Sequence, residues 1–224
     1  MFDSKMQKDD LSEALAHDNF TSSDGSLLTT CSRDSISNYL KTGSMKVPAL
    51  LQRDRRFEIK RGCFVTLSEN TEERSLRGCV GFPEPIFKLS KALCEAAVSA
   101  ATADSRFHPV KIDELDELLV EVSLLTAPSL IEVKSQKDLA KEIVVGRDGL
   151  IMRWTFGSGL LLPQVATEYN WDSEDFLANL SMKAGAPPDQ WLVSGTLIYR
   201  FRAQVFSEES PKGRVVYSEE HLKK

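Results

Sequence analysis

Residues 76–81 read Leu76-Arg77-Gly78-Cys79-Val80-Gly81. A cysteine reacts as its thiolate, and a nearby cation favours that form. Side chains alternate along an extended segment, which puts Arg77, Cys79 and Gly81 on one face and Leu76, Gly78 and Val80 on the other. Leu76 and Val80 then belong to a core, and Arg77 stands two residues from the thiol. Glycines at 78 and 81 let a ligand or a neighbouring helix approach the main chain closely. Because an isolated free cysteine is usually a small buried hydrophobe, the segment reads either as a reactive groove or as a packing device.

Other residues could share in that chemistry. The run Glu117-Leu118-Leu119-Val120-Glu121-Val122-Ser123-Leu124-Leu125-Thr126 sets a carboxylate, Glu121, within an apolar strand. Carboxylates are seldom buried unpaired, so Glu121 asks for a partner, and Arg77 would serve as a structural ion pair or a ligand-orienting one. The loop Asp104-Ser105-Arg106-Phe107-His108 adds Arg106 as an anion holder and His108 as a base for Cys79 on paper. Further on, Gln164 and Glu168 fall four apart on one helix face, opened by Pro163 and preceded by Gly157-Ser158-Gly159. That glycine pair lacks the spacing of a nucleotide-binding loop. No metal centre is expected, since the three histidines (His17, His108, His221) are scattered and no CxxC pair exists.

Hydrophobic periodicity supplies the elements that would hold these residues. Leu27 to Leu40 reads as a helix ended by Gly43, and Cys63 to Ser68 as a strand. Ser75 to Phe82 returns as a second strand. An alanine-rich helix from Ile86, with Pro85 in its first turn, and a strand at 117–126 follow. The second half repeats this β-β-α-β order. A hairpin turns at Gly146-Arg147-Asp148-Gly149, a helix starts at Pro163, another is capped by Asp172 and ends at Gly185, and one strand spans Thr196 to Phe206. The expected fold is α+β, with two β-β-α-β-like halves forming two subdomains around a cleft and mostly antiparallel or mixed sheets. Residues 1–22 are a polar extension with a short helix at Leu11 to Leu15, and 210–224 a polar, peripheral tail.

Of the 224 residues, 42% are hydrophobic and 27% charged, as in an ordinary globular protein. The net charge of -5 leaves no basic surplus for neutralising phosphates, which weighs against nucleic-acid binding. No apolar run reaches the length of a membrane span. The N-terminal residues lack the apolar core of a secretory signal, so a cytoplasmic protein with reduced thiols is expected.

Together LRGCVG, DSRF, VEVSLLT, GRDGLIM, GLLLPQVATEYNWD and FLANLSMKAGAPPDQW resemble the AMMECR domain family, in order from about Ser23 to Glu209. The family's hallmark is usually LRGCIG, so Val80 is a mild departure. Its loop is typically DPRF, so Ser105 stands where proline is usual, and the position of His108 varies. Arg77, Gly78, Cys79, Gly81, Arg106, Glu121, Gly149, Pro163, Gln164, Glu168 and Trp171 match the pattern. The resemblance implies two subdomains around a cleft with the hallmark segment near it, but no established reaction and no cofactor. Prokaryotic relatives are often encoded with, or fused to, a Memo-like protein and a radical S-adenosylmethionine protein, an association and not a mechanism.

Two readings follow. In the first, the protein is an enzyme or enzyme component. Cys79 is its reactive or ligand-contacting thiol, Glu121 orients the ligand or accepts a proton, and Arg77 and Arg106 hold a small anionic substrate. Gly78, Gly81, Gln164 and Glu168 line its site. In the second, it is a scaffold for Memo-like and radical S-adenosylmethionine partners, with an exposed apolar patch.

Overall fold

The structure is a computed structural model that describes residues 20–219, with the side chains of the last two left out. The expected helix at Leu11 to Leu15, and His17 and His221, lie outside the described residues. The chain divides into two compact units. One comprises residues up to Leu124 with Gln204–Tyr217, the other Leu125–Ala203 with the residues from Ser218 on.

The first unit is built on helix α1 (Ser22–Thr42), which begins earlier than its apolar spacing alone indicates. Thr21 and Asp24 cap its start reciprocally, and Gly43, at φ 70°, ends it in the left-handed conformation. A short helix α2 (Ala49–Arg53) leads to strands β1 (Cys63–Glu69) and β2 (Leu76–Phe82). Helix α3 (Leu89–Thr102) then crosses to β3 (Leu118–Leu125). Expected from Pro85, α3 instead starts at Leu89. The Leu89 N–H donates to Ile59 O, and a bridge between Lys60 and Lys88 keeps the preceding residues extended.

β1 lies between β2 and β3 and pairs antiparallel with both. One face of this sheet buries Val65, Leu67, Val120 and Val122 with Leu93, Ala96, Ala97 and Ala100 of α3 in one apolar core. Small side chains on α3 allow the close packing that its alanines suggested.

The second unit holds the short edge strand β4 (Ser129–Leu130) and helix α4 (Leu139–Glu142). Strands β5 (Gly149–Trp154) and β6 (Gly157–Leu161), helices α5 (Pro163–Glu168) and α6 (Ser173–Lys183) and strand β7 (Leu197–Phe201) follow. The sheet order is β4-β7-β5-β6. Leu150, Met152, Phe176, Leu177 and Leu180 centre its core. Both units therefore share one topology. β1 sits between β2 and β3, and β5 between β6 and β7, with the helical crossover joining the outer two of each set.

Besides the start of α3, three expectations are corrected. The hairpin does not turn at Gly146–Gly149; it is β5–β6, with its tip at Thr155-Phe156. Gly146 is at φ 82°, but the turn is anchored by the buried Asp148 carboxylate, which accepts the Val144 N–H and pairs with Arg147. Thr196 to Phe206 is not one strand. It breaks at Arg202, whose N–H donates to Thr126 Oγ1, and continues as β8 (Ala203–Glu208) beside β3 in the first sheet. Nor is the tail peripheral throughout, since β9 (Val215–Glu219) extends that sheet beyond β8 and buries Val215.

One buried ion pair ties α1 to the sheet. Arg33 on α1 meets Glu208 on β8 at 2.5 Å, and also donates to the carbonyls of Leu115 and Leu118. Glu208 in turn accepts the Val120 N–H at 2.9 Å. Every polar atom of the pair has somewhere to go, which a buried pair requires.

Candidate functional site

The two glycines of LRGCVG are set by packing. A Cβ on Gly78 would stand 2.2 Å from Ala100 O, so the main chain of β2 lies against α3. A Cβ on Gly81 would meet Cys63 O and the Phe64 ring, each at 2.4 Å. Both residues serve a close backbone approach within the protein.

Between them Cys79 points to the face away from α3. Thr66 of β1 lies directly opposite Cys79 on one side and Glu121 of β3 on the other. Thr66 Oγ1 donates to Cys79 Sγ at 3.3 Å, and Ser207 of β8 donates to Glu121 Oε2 at 2.5 Å. Cys79, Thr66, Glu121 and Ser207 thus form one polar row across four adjacent strands, each half-buried. Glu121 is the one residue of β3 that is not buried.

Arg77 does not join that row. The pairing shifts between Leu67 and Ser68, leaving Arg77 as the extra residue of a bulge. Its guanidinium binds Glu114, with Nε 2.5 Å from Oε1, and lies 5.9 Å from the Phe107 ring centroid. The partner proposed from sequence, Glu121, is taken by Ser207 instead.

The Asp104–Phe107 loop closes on the outer edge of β2. Asp104 Oδ2 accepts the Cys79 N–H at 2.9 Å, and Arg106 Nη2 reaches Cys79 O at 3.4 Å. Arg106 also holds Asp104 through Nε at 3.0 Å and Nη2 at 2.7 Å. Hydrogen bonding from Arg106, only partly opposed by desolvation, holds the Asp104 carboxyl well below the usual carboxylate range. Burial pushes the Cys79 thiol up, and the charges of Glu121 and Asp104 add to this; the Thr66 hydrogen bond and Arg106 only partly offset it. Cys79 is therefore a protonated thiol at neutral pH, not the thiolate that an adjacent Arg77 would have made. His108 is exposed, and among the described residues no hydrogen bond joins it to Cys79.

Gln164 and Glu168 lie on α5 in the second unit. Glu168 is exposed, whereas Gln164 buries an Oε1 with no hydrogen-bond partner among the described residues. The structure thus gathers Cys79, Glu121 and Arg106 with Thr66, Ser207 and Asp104, turns Arg77 to Glu114, and carries Gln164 and Glu168 on another unit. Thr66 and Ser207 escaped sequence reading because only strand register brings them in; the hairpin length between β1 and β2 was the available signal for Thr66. No group of three or more histidine, cysteine or carboxylate side chains suited to a metal occurs among the described residues.

The AMMECR1 family model matches residues 29–206. The chain belongs to the AMMECR1 family. It is 48% identical over 196 residues to a protein of Methanocaldococcus jannaschii, covering 88% of this chain and 96% of that one. It is 54% identical over 153 residues to a protein of Methanothermobacter thermautotrophicus, covering 68% and 78%. A crystal structure of an uncharacterized protein from Pyrococcus horikoshii superposes with a TM-score of 0.78 at 45% identity, over 87% of this chain and 96% of that one. The segment LRGCVG is thus the edge strand β2, with Cys79 at one end of the polar row. Among the described residues no helix is long and apolar enough to cross a membrane.

Proposed function

We propose that the half-buried face around Cys79 binds a small anionic ligand, and that this AMMECR1 protein is an enzyme or enzyme component acting on it in the cytoplasm, with its cysteines reduced. The observation that carries the reading is the row Cys79–Thr66–Glu121–Ser207, four polar side chains in line across a sheet whose other face is apolar. Such a row sacrifices burial that aliphatic residues would supply, as functional sites do. Arg106 stands beside it as the cation for the ligand, and Arg77, neutralised by Glu114, gives weaker support. Cys79 contacts the ligand as a thiol and becomes a nucleophile only on losing its proton, for which Glu121 is the acceptor through the Thr66 hydroxyl between them, which takes the thiol proton and passes its own to Glu121. Gly78 and Gly81 hold the strand in place. Gln164, with its unpartnered Oε1, and Glu168 belong to the second unit and take no part in this reading.

The test is alkylation of the folded protein by iodoacetamide, read cysteine by cysteine by mass spectrometry. Cys79 is expected to react first, slowly at pH 7 and faster as pH rises, because Cys31, Cys63 and Cys94 are buried. Cys79 staying protected until the protein unfolds overturns the reading.

A second reading has its own observation. Leu130, Leu192 and Leu197 are exposed around a pocket of about 610 Å³ in the second unit. Apolar residues gathered in this way suit a scaffold for the Memo-like and radical S-adenosylmethionine proteins that the family resemblance implies. Co-purification with such a partner should then survive Cys79→Ala and be lost with Leu197→Asp; the reverse pattern rejects the scaffold.

A further inference from the structure

Asp104 satisfies four donors at once. Its Oδ2 takes the main-chain N–H of Cys79 at 2.9 Å and Arg106 Nη2 at 2.7 Å, while Oδ1 takes Arg106 Nε at 3.0 Å and the Arg106 main-chain N–H at 3.1 Å. The two oxygens sit side-on in the guanidinium fork, an arrangement that suits a planar carboxylate. The Asp104 side chain is only 6% exposed, whereas that of Arg106 is 54% exposed. Arg106 also donates to Cys79 O, so the loop grips both main-chain polar groups of the cysteine on the outer side of β2. That edge would otherwise be unpaired, because β2 ends the sheet. A solvent-facing arginine that serves only as a plug would need neither so buried a carboxylate nor this register on one cysteine.

We propose that Asp104 is an internal competitor for the anion position of the Cys79 site, and that the ligand's anionic group is a carboxylate which displaces it. The incoming carboxylate takes over the Arg106 fork and the Cys79 N–H, while the Arg106 main-chain N–H that Asp104 also satisfies lies at an exposed position where water replaces the carboxylate. The exchange frees the Asp104 side chain from the edge of β2, while Arg106 keeps its hold on the Cys79 carbonyl. This inference rests on the reading of the Cys79 face as an anion site.

Two alkylating agents of similar size separate the two ideas. Iodoacetate carries a carboxylate and iodoacetamide does not, so the ratio of their rates at Cys79 reports anion attraction and cancels changes in accessibility. Asp104→Asn keeps an acceptor for the Cys79 N–H but loosens the hold on Arg106 and removes a negative charge. The iodoacetate-to-iodoacetamide ratio should rise about fivefold, the scale of one unit charge a few ångströms away in a wet site. Asp104→Glu, which keeps the charge, should leave the ratio near its original value, and Arg106→Gln on the Asp104→Asn background should remove most of the gain. If Asp104 only braces the loop, the gain in the ratio comes from the lost charge alone and persists when Arg106→Gln is added, and the inference is overturned. If Cys79 resists both reagents in every variant, the site itself fails, which is a different result. A melting curve for each variant confirms that the protein under test is folded.

Discussion

Gly78→Ala tests most directly what LRGCVG is for. The added Cβ would lie 2.2 Å from Ala100 O, where ordinary contact begins at 3.4 Å. The obstacle is main chain within a helix, not the movable end of a side chain, so β2 and α3 must part by about 1.2 Å. Both are set in one core around Val80, Leu93 and Ala97, and overpacking of this kind costs about 3 kcal/mol. An alanine in a strand returns some of that, about 0.7 kcal/mol, by narrowing the unfolded ensemble. The steric term wins, and a net loss of about 2 kcal/mol is expected.

Tryptophan fluorescence would report the wrong part of the molecule, because Trp154, Trp171 and Trp191 all belong to the second unit. The first unit carries its own probes. Cys31, Cys63 and Cys94 are buried on α1, β1 and α3. Burial pushes the Cys31 and Cys63 thiols up to about 12, so both are inert until they are exposed. A pulse of iodoacetamide across a urea series therefore reads the opening of this unit. With a slope near 2 kcal/mol per molar, Gly78→Ala should lower the midpoint by about 1 M. A shift below about 0.25 M would refute the close-approach argument.

Two further outcomes can be measured with the same probes and with fluorescence. Arg33→Met leaves Glu208 buried without its cation, and should cost about 3–5 kcal/mol by pulse labelling. Arg33→Met with Glu208→Met should cost less than the single change, because no buried charge is then stranded. Asp148 gives the second unit a defined acid limit. Burial alone would raise its carboxyl, but hydrogen bonds from Arg147 and the Val144 N–H, with the charges of Arg147 and Arg200, outweigh that and hold it below the ordinary value. A depressed carboxyl stabilises the fold above its unfolded pKa, near 3.9, and that stability is lost as pH falls through the lower folded value. Asp148→Asn should therefore lower the tryptophan-monitored melting temperature at neutral pH and flatten its decline in acid. An unchanged acid decline would show that other groups set it.

The first half of the fold was legible because its pattern is local. Strand alternation and alanine spacing on α3 identify a sheet face and the helix that covers it, and Gly43 ends α1 where a left-handed residue is needed. The errors arose where distant contacts decide. Gly146 to Gly149 has the composition of a hairpin turn, but a buried carboxylate and not a second strand organises it. Thr196 to Phe206 alternates without a break, and alternation cannot say that Arg202 leaves one sheet and Ala203 enters another. β9 lies in a polar segment whose pairing partner, β8, supplies what its own residues do not.

The site was half legible for a related reason. Cys79 and Glu121 stand out as chemically odd residues in apolar strands, and that oddity survives in the structure as two members of one row. The arginine was misassigned because strict alternation fails at a bulge. Arg77 turns to Glu114, and the cation that reaches Cys79 is Arg106, from a loop 27 residues away in sequence. This changes the chemistry as well as the geometry. Arg106 arrives already neutralised by Asp104, and Glu121 faces the same row, so the charge around the thiol favours its proton. Ionising Cys79 in that setting requires a positive charge or a change in the Asp104–Arg106 pair. A ligand carboxylate that merely replaced Asp104 would leave the balance as it was. On the proposed exchange, the ligand therefore brings no charge that would ionise Cys79, and Arg106 serves to hold the carboxylate and not to activate the thiol. On that argument Cys79 meets the bound ligand as a neutral thiol.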